Sequence, residues 1–293
     1  MSSSSSSSSS IPIVLVCTGN YQEYIETCVK QLLLFENKNI VLILDAAFSH
    51  HITGHKRFKG ITIVTTESLS QKRIKEFNQS THLDSGFRGG FWRHCSSRFI
   101  YILEYMIQAN IQNCFHLEND NMVYANLAKL FRDYDKGVSW ICKDNPTRCI
   151  PSIMFLNRSQ LADYLEKRNN NDNDMYTWGS CDNKNVKLLP ICAEGADEKT
   201  DYVFDAAAIG QYLFGADPRN NFAGPGMVNT DCTFVRYDKY KLEWRFNEKT
   251  KLWYPVLIDK GKAIPIINLH MHCKNLRLAY SKEPASNSFI SKK

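Results

Sequence analysis

No apolar run in this chain approaches the ~18 residues needed to cross a membrane, so no membrane span is expected. The N-terminus lacks a basic stretch leading into an apolar one, so no export signal is expected. Ten cysteines are present, yet no two fall in a C-x-x-C arrangement. That argues against a zinc knuckle and, without an export signal, for reduced thiols and a cytoplasmic location. There is no G-x-G-x-x-G after the first apolar run, which disfavours dinucleotide binding, and no G-x-x-x-x-G-K-[ST], which excludes a P-loop. Nor is there a clustered basic stripe. The net charge is +6, from 36 Lys and Arg against 30 Asp and Glu. This mild bias suits an anionic small molecule and no nucleic acid. The short runs His55-Lys56-Arg57 and Lys72-Arg73-Ile74-Lys75 read as solvated faces.

What the chain does have is alternation. A serine run over residues 2–10 is expected to be a flexible, disordered tail (residues 1–10). The rest, about 11–280, reads as one domain whose two halves divide at about 125–126, with a loose tail over 281–293. Ile11–Val16 is a buried strand ending at a polar turn, Cys17-Thr18-Gly19-Asn20. Glu23–Phe35 follows as a helix, with Ile25, Cys28, Val29 and Leu32 at helical spacing. Ile40–Leu44, ending at Asp45, and Ile61–Thr65 are further strands. Strands alternating with helices indicate a parallel α/β sheet. Phe91–Asn110 is the strongest helix, and Leu127–Tyr134, Gln160–Lys167 and Asp205–Phe214 are others. Val138–Cys142 and Ser152–Leu156 are strands. The polar stretch Asn169–Asp174 and the residues to about Lys187 read as a surface loop. Leu242–Arg245, Leu252–Val256 and Ala263–Ile267 read as a later antiparallel region.

The most informative stretch is Asn113–Asn121, NCFHLENDN. A short apolar strand ends in Glu118-Asn119-Asp120. At a strand end, period two turns Glu118 and Asp120 the same way. The carboxyl ends of strands are where open α/β sheets bind ligands. Two hard oxygen donors there suit Mg²⁺ or Mn²⁺ with phosphate in the shell; the plain alternative is a polar turn. Thr18, Gly19, Asn20 and Asp45 would line the same crevice. In Asn268–Leu276, NLHMHCKNL, His270 and His272 lie two apart in what reads as a strand, and either can complete a metal site. Lys274 can neutralise phosphate. Arg98, on the long helix, is placed to hold a nucleotide or its phosphates by its guanidinium. Asp205 is either a helix N-cap or a catalytic carboxylate.

Together these motifs resemble the GT-A-fold, nucleotide-sugar-dependent glycosyltransferases. Residues 91–127, with an Arg-Phe step on a helix before a strand ending in an acidic D-x-D-like motif, are similar to the donor-binding core of that family. NLHMHCKNL resembles the segment that closes over the diphosphate, and Asp205–Asn220 the acceptor-side helix. The resemblance implies a Rossmann-like, mostly parallel central sheet flanked by helices, with a smaller antiparallel acceptor region toward the C-terminus. It implies that Thr18, Gly19, Asn20 and Asp45 bind the nucleoside and that Arg98 holds the nucleotide-sugar. Glu118 and Asp120 would bind ribose and metal, with His272, or less readily His270, as third ligand, and Lys274 on the diphosphate. Glu118 departs from the family, which usually has Asp there. The implied activity is transfer of a hexosyl or N-acetylhexosaminyl group from a UDP-sugar, with Mn²⁺ or Mg²⁺, to a hydroxyl of a glycan or glycoprotein. If the reaction inverts, Asp205 is the candidate base, with Asp201 in reserve. The competing readings are an inactive nucleotide- or glycan-binding protein, a metal-dependent hydrolase of nucleotide-sugars, and a nucleotidyltransferase.

Overall fold

The computed structural model describes residues 11–181, 186–191, 201–219 and 223–285. The expected serine tail, the end of the expected loose tail (286–293), residues 182–185 of the expected surface loop and Asn220 at the end of the Asp205–Asn220 segment lie outside the described residues. In chain order the strands are β1 (Ile13–Cys17), β2 (Ile40–Leu44), β3 (Thr62–Thr65), β4 (Asn113–Leu117), β5 (Asn121–Val123), β6 (Ser139–Ile141), β7 (Lys143–Asn145), β8 (Arg148–Cys149), β9 (Ile153–Asn157), β10 (Val186–Leu188), β11 (Lys241–Asn247), β12 (Leu252–Asp259), β13 (Lys262–Pro265) and β14 (Asn268–His270). The α-helices are α1 (Ile25–Leu34), α2 (Lys72–Ser80), α3 (Phe91–Gln108), α4 (Leu127–Leu130), α5 (Arg158–Lys167), α6 (Asp174–Gly179) and α7 (Ala208–Phe214).

Seven strands form the central sheet in the order β10-β6-β9-β4-β1-β2-β3. All run parallel except β9, which is antiparallel to both its neighbours. The expected mostly parallel α/β sheet is therefore what the chain forms, and β11-β12-β13 supplies the expected antiparallel region. Both faces of the sheet are covered, which is why β1 and β2 are continuously apolar rather than alternating. Ile13, Leu15 and Cys17 join one core with α1, whereas Val14 and Val16 join a second with Phe99, Ile102, Leu103 and Met106 of α3.

Several expected boundaries shift, each for a local reason. Leu127–Tyr134 contributes only one helical turn, α4, capped by the Asn126 side chain on Lys129 N–H. A turn follows in which Asp135 accepts from Gly137 N–H. The polar run 169–174 is not loop throughout. Its Asn173 accepts from the N–H groups of Met175 and Tyr176 and so starts α6. The strand expected over Asn268–Leu276 stops at His270, where β14 runs antiparallel to β5 and pairs His270 with Asn121. Beyond it the chain turns, with His272 N–H donating to the His270 carbonyl.

Helix α7 crosses β14 closely enough that a side chain would not fit. A Cβ at Gly210 would lie 2.1 Å from the carbonyl oxygen of His270. Gly210→Ala should therefore destabilise the protein by about 1–3 kcal/mol through overpacking, read as a lower urea midpoint at unchanged slope. An unchanged midpoint would mean that α7 can lift from β14 at no cost.

Candidate active site

The pairing of β5 with β14 builds the site. Glu118 and Asp120 lie in the turn from β4 to β5, and the strand contact delivers His270 beside them, with Met271 N–H bonded to the Asp120 carbonyl. The intervening Asn119 points away. Its amide donates to the Val16 carbonyl and to Gln22, tying the turn to β1. His270 Nε2 lies 3.0 Å from Glu118 and 3.4 Å from Asp120. Ligand atoms of these three residues all lie within 4.8 Å of one another. The ring is oriented by its other nitrogen, Nδ1, 2.8 Å from the Ala206 carbonyl oxygen. A carbonyl only accepts, so Nδ1 carries a proton whether or not Nε2 does, and an ion that displaces the Nε2 proton would find the lone pair of that nitrogen, as in metal-bound histidines steadied by a second contact. Two carboxylates and an imidazole held this way fit a divalent cation such as Mn²⁺ or Mg²⁺ whose shell is completed by oxygen.

Two cations hold the carboxylates. Arg98 donates to Glu118 at 2.6 Å and to Asp174 at 2.5 Å, with the Asp174 side chain only 1% exposed. Lys274, at a left-handed φ of +60°, binds Asp120. Burial works against ionising Glu118, but Arg98 and then His270 prevail and hold it well below the carboxylate range. Asp120 is likewise opposed by burial and lowered by Lys274 and His270. Burial disfavours the His270 imidazolium, yet Asp120 and Glu118 raise it to about 10. His272 is left neutral, pushed down to about 3 by burial and then by His270 and Lys274.

The remaining expected residues fall on the same sheet edge in different states. Thr18, Gly19, Asn20 and Asp45 follow the carboxyl ends of β1 and β2, and β1 pairs with β4 on its other side. Asp45 is itself engaged. One oxygen accepts from Gly19 N–H at 2.8 Å and the other from the Thr66 hydroxyl at 2.9 Å. Gly19 has φ +77°, and a Cβ there would strike the His94 ring.

Three of the expected residues stand in surroundings the sequence did not indicate. Arg98 does not reach toward a nucleotide, because its terminal nitrogens are committed to Glu118 and Asp174; it positions Glu118. The third member of the acidic cluster is His270; the favoured His272 lies past the end of β14, its ring centroid 4.3 Å from that of His270. The Asp205 carboxylate is already engaged. The residue is fully buried, and its carboxylate accepts from the N–H groups of Ile209, Gly210 and His270. Burial raises it to about 6 against those bonds. It caps α7 from a distance and pins that helix to β14. The reserve, Asp201, is exposed and paired with Lys262. Sequence reasoning missed Asp174, hidden at the end of a polar run, and Gln211 of α7, whose amide meets His272 Nδ1 at 2.9 Å. It also missed the Tyr21 and His51 rings, stacked at 4.1 Å beside the Asn20 turn.

No protein-family model matches the sequence, and no curated protein matches it. Solved structures are similar in part. A galactosyltransferase, LgtC, in complex with donor and acceptor sugar analogues shares 14% identity over 61% of this chain and 73% of its own, at a TM-score of 0.38. The glycosyltransferase GlyE of Streptococcus pneumoniae shares 15% over 62% of this chain and 45% of its own, at 0.39. A cytidylyltransferase of Leptospira borgpetersenii shares 10% over 55% of this chain, at 0.35, the match spanning 65% of that protein.

Removing one partner of a buried charge pair leaves the other uncompensated. Asp174→Ala should cost about 3–5 kcal/mol of folding stability, whereas Asp172→Ala in the same polar run should stay within about 0.5 kcal/mol. Equal urea midpoints for the two variants would refute the buried Arg98 pairing. The His270 shift carries a second expectation. An imidazole raised from 6.5 to about 10 stabilises the fold fully below pH 6.5, and that contribution is lost as pH rises through 10. With chelator present, the melting temperature should fall between pH 7 and 10, and His270→Gln should flatten that fall. Parallel profiles would show that His270 is not held by the two carboxylates.

Proposed function

We propose that the protein is a metal-dependent glycosyltransferase that moves a sugar from a UDP-sugar to a hydroxyl acceptor on a glycan or glycoprotein. The observation that carries this reading is the convergence of Glu118, Asp120, His270 and Lys274 at the carboxyl edge of a parallel sheet. The sequence resemblance around the E-N-D turn and NLHMHCKNL supports it.

Glu118, Asp120 and His270 would hold the divalent ion, which acts as a Lewis acid on a departing diphosphate. Lys274 places a fixed positive charge beside the same oxygens, where negative charge develops as the sugar leaves. Arg98 keeps Glu118 ionised and aimed, and Ala206 keeps the His270 lone pair outward. The turn Thr18–Asn20 and Asp45 lie at the neighbouring strand ends, where the nucleoside would lie near the stacked Tyr21 and His51 rings.

Thermal-shift measurements against UDP, GDP, CMP and dTDP, each with and without Mn²⁺, test the reading. UDP should raise the melting temperature, Mn²⁺ should enlarge the shift, and Asp120→Ala should abolish the enlargement. Turnover of UDP-sugars should then require an acceptor. Donor consumption without acceptor would identify a hydrolase, and binding without turnover an inactive nucleotide-binding protein. No shift with any nucleotide would overturn the assignment.

A further inference from the structure

His270 and His272 are two residues apart, their ring centroids are 4.3 Å from one another, and their hydrogen bonds have opposite polarity. His270 Nδ1 faces a carbonyl and must donate. For His272 the direction is set by a chain that begins at an unambiguous donor. The backbone N–H of Asp231 donates to Asn229 Oδ1 at 3.0 Å. The other end of that amide, Asn229 Nδ2, therefore donates, and it meets Gln211 Oε1 at 2.7 Å. Gln211 Nε2 is then the donor at 2.9 Å from His272 Nδ1, which must accept. Of the two neutral tautomers, this leaves the proton of His272 on Nε2. That nitrogen is enclosed by protein and has no hydrogen-bond partner among the described residues. An enclosed N–H without a partner is costly, and it calls for an explanation in a native site.

We propose that His272 is a ligand-binding hydrogen-bond donor and not a metal ligand: its Nε2–H, fixed by the Asn229–Gln211 relay, meets a phosphoryl oxygen of the group bound at the Glu118–Asp120–His270 cluster. A nitrogen carrying a proton has no lone pair for a cation, so the relay gives the two histidines separate tasks. His270 offers a lone pair to the ion, and His272 offers a proton to the anion that shares the ion's shell. Lys274 is the adjacent cation on Asp120, so a phosphoryl oxygen entering here meets a charge and a directed N–H together. This inference deepens the nucleotide-sugar reading but needs only a phosphoryl ligand.

The test has a structural arm and a binding arm. Imidazole ¹⁵N spectra of the intact protein should show His272 protonated at Nε2 and bare at Nδ1. Gln211→Glu, whose carboxylate can only accept, should bring a proton onto Nδ1. A wild-type spectrum with the proton on Nδ1 overturns the proposal. In the binding arm, inorganic pyrophosphate with Mg²⁺ is titrated by calorimetry. His272→Leu should weaken pyrophosphate about tenfold while leaving Mn²⁺ affinity, measured alone, unchanged. His272→Gln, which restores an N–H, should recover most of the loss. Loss of Mn²⁺ binding in His272→Leu would make His272 a metal ligand and overturn the proposal, as would pyrophosphate affinity indifferent to both variants. UDP titrated alongside separates the two readings. Pyrophosphate binding that depends on His272, without UDP binding, would refute the nucleotide-sugar reading and keep this one; binding of neither ligand would refute both.

Discussion

Everything at the carboxyl edge of the sheet depends on neutralising carboxylates that the fold has buried. Glu118, Asp120 and Asp174 lie together in a region where an unpaired charge would be severely penalised. Arg98 from α3 and Lys274 from the turn after β14 compensate them, with the His270 imidazole between. These groups come from elements far apart in the chain. Compensation is complete only when α3, the β4–β5 turn, α6 and β14 are all in place. Buried ion pairs add little net stability, but here they make the assembled arrangement the one in which no charge is stranded.

A second network carries the same logic deeper. Asn121, Ser152, Asp205 and Asn268 bond one another's side chains and backbone in a buried layer next to the Glu118–Asp120–His270 cluster. Asp205 is its hub, joining α7 to β14 through three backbone N–H groups. Gly210 allows the two to touch, and the contact sets where His270 and Gln211 stand. The site's rigidity thus comes from polar groups satisfied by one another, which act as one connected unit.

The alternation of apolar strands and amphipathic helices was legible because burial on both sheet faces writes a continuous pattern into β1, β2, α1 and α3. The E-N-D turn was legible because carboxylates directly after an apolar strand are easily seen. Asp174 was not, because it follows five polar neighbours and only its depth sets it apart. Arg98 was legible as important but not in its role, since spacing on a helix does not say which carboxylates will meet it. Asp205 was read as a candidate base because caps and bases use the same residue type at the same place. What separates them is whether the oxygens are already occupied.

By itself the sequence determined the α/β class, the carboxylates after the fourth strand of the sheet, and a histidine- and lysine-bearing segment near the C-terminus. These follow from local pattern, since periodicity and strand-end chemistry are properties of neighbouring residues. Only the tertiary structure decided that β14 ends at His270, so that His270 and not His272 faces the carboxylates. Only it decided that Arg98 is held between Glu118 and Asp174, and that one of two adjacent histidines meets a carbonyl while the other meets an amide. Those outcomes depend on which hydrogen-bonding groups distant segments bring together, and a side chain's role is set by the partner it meets.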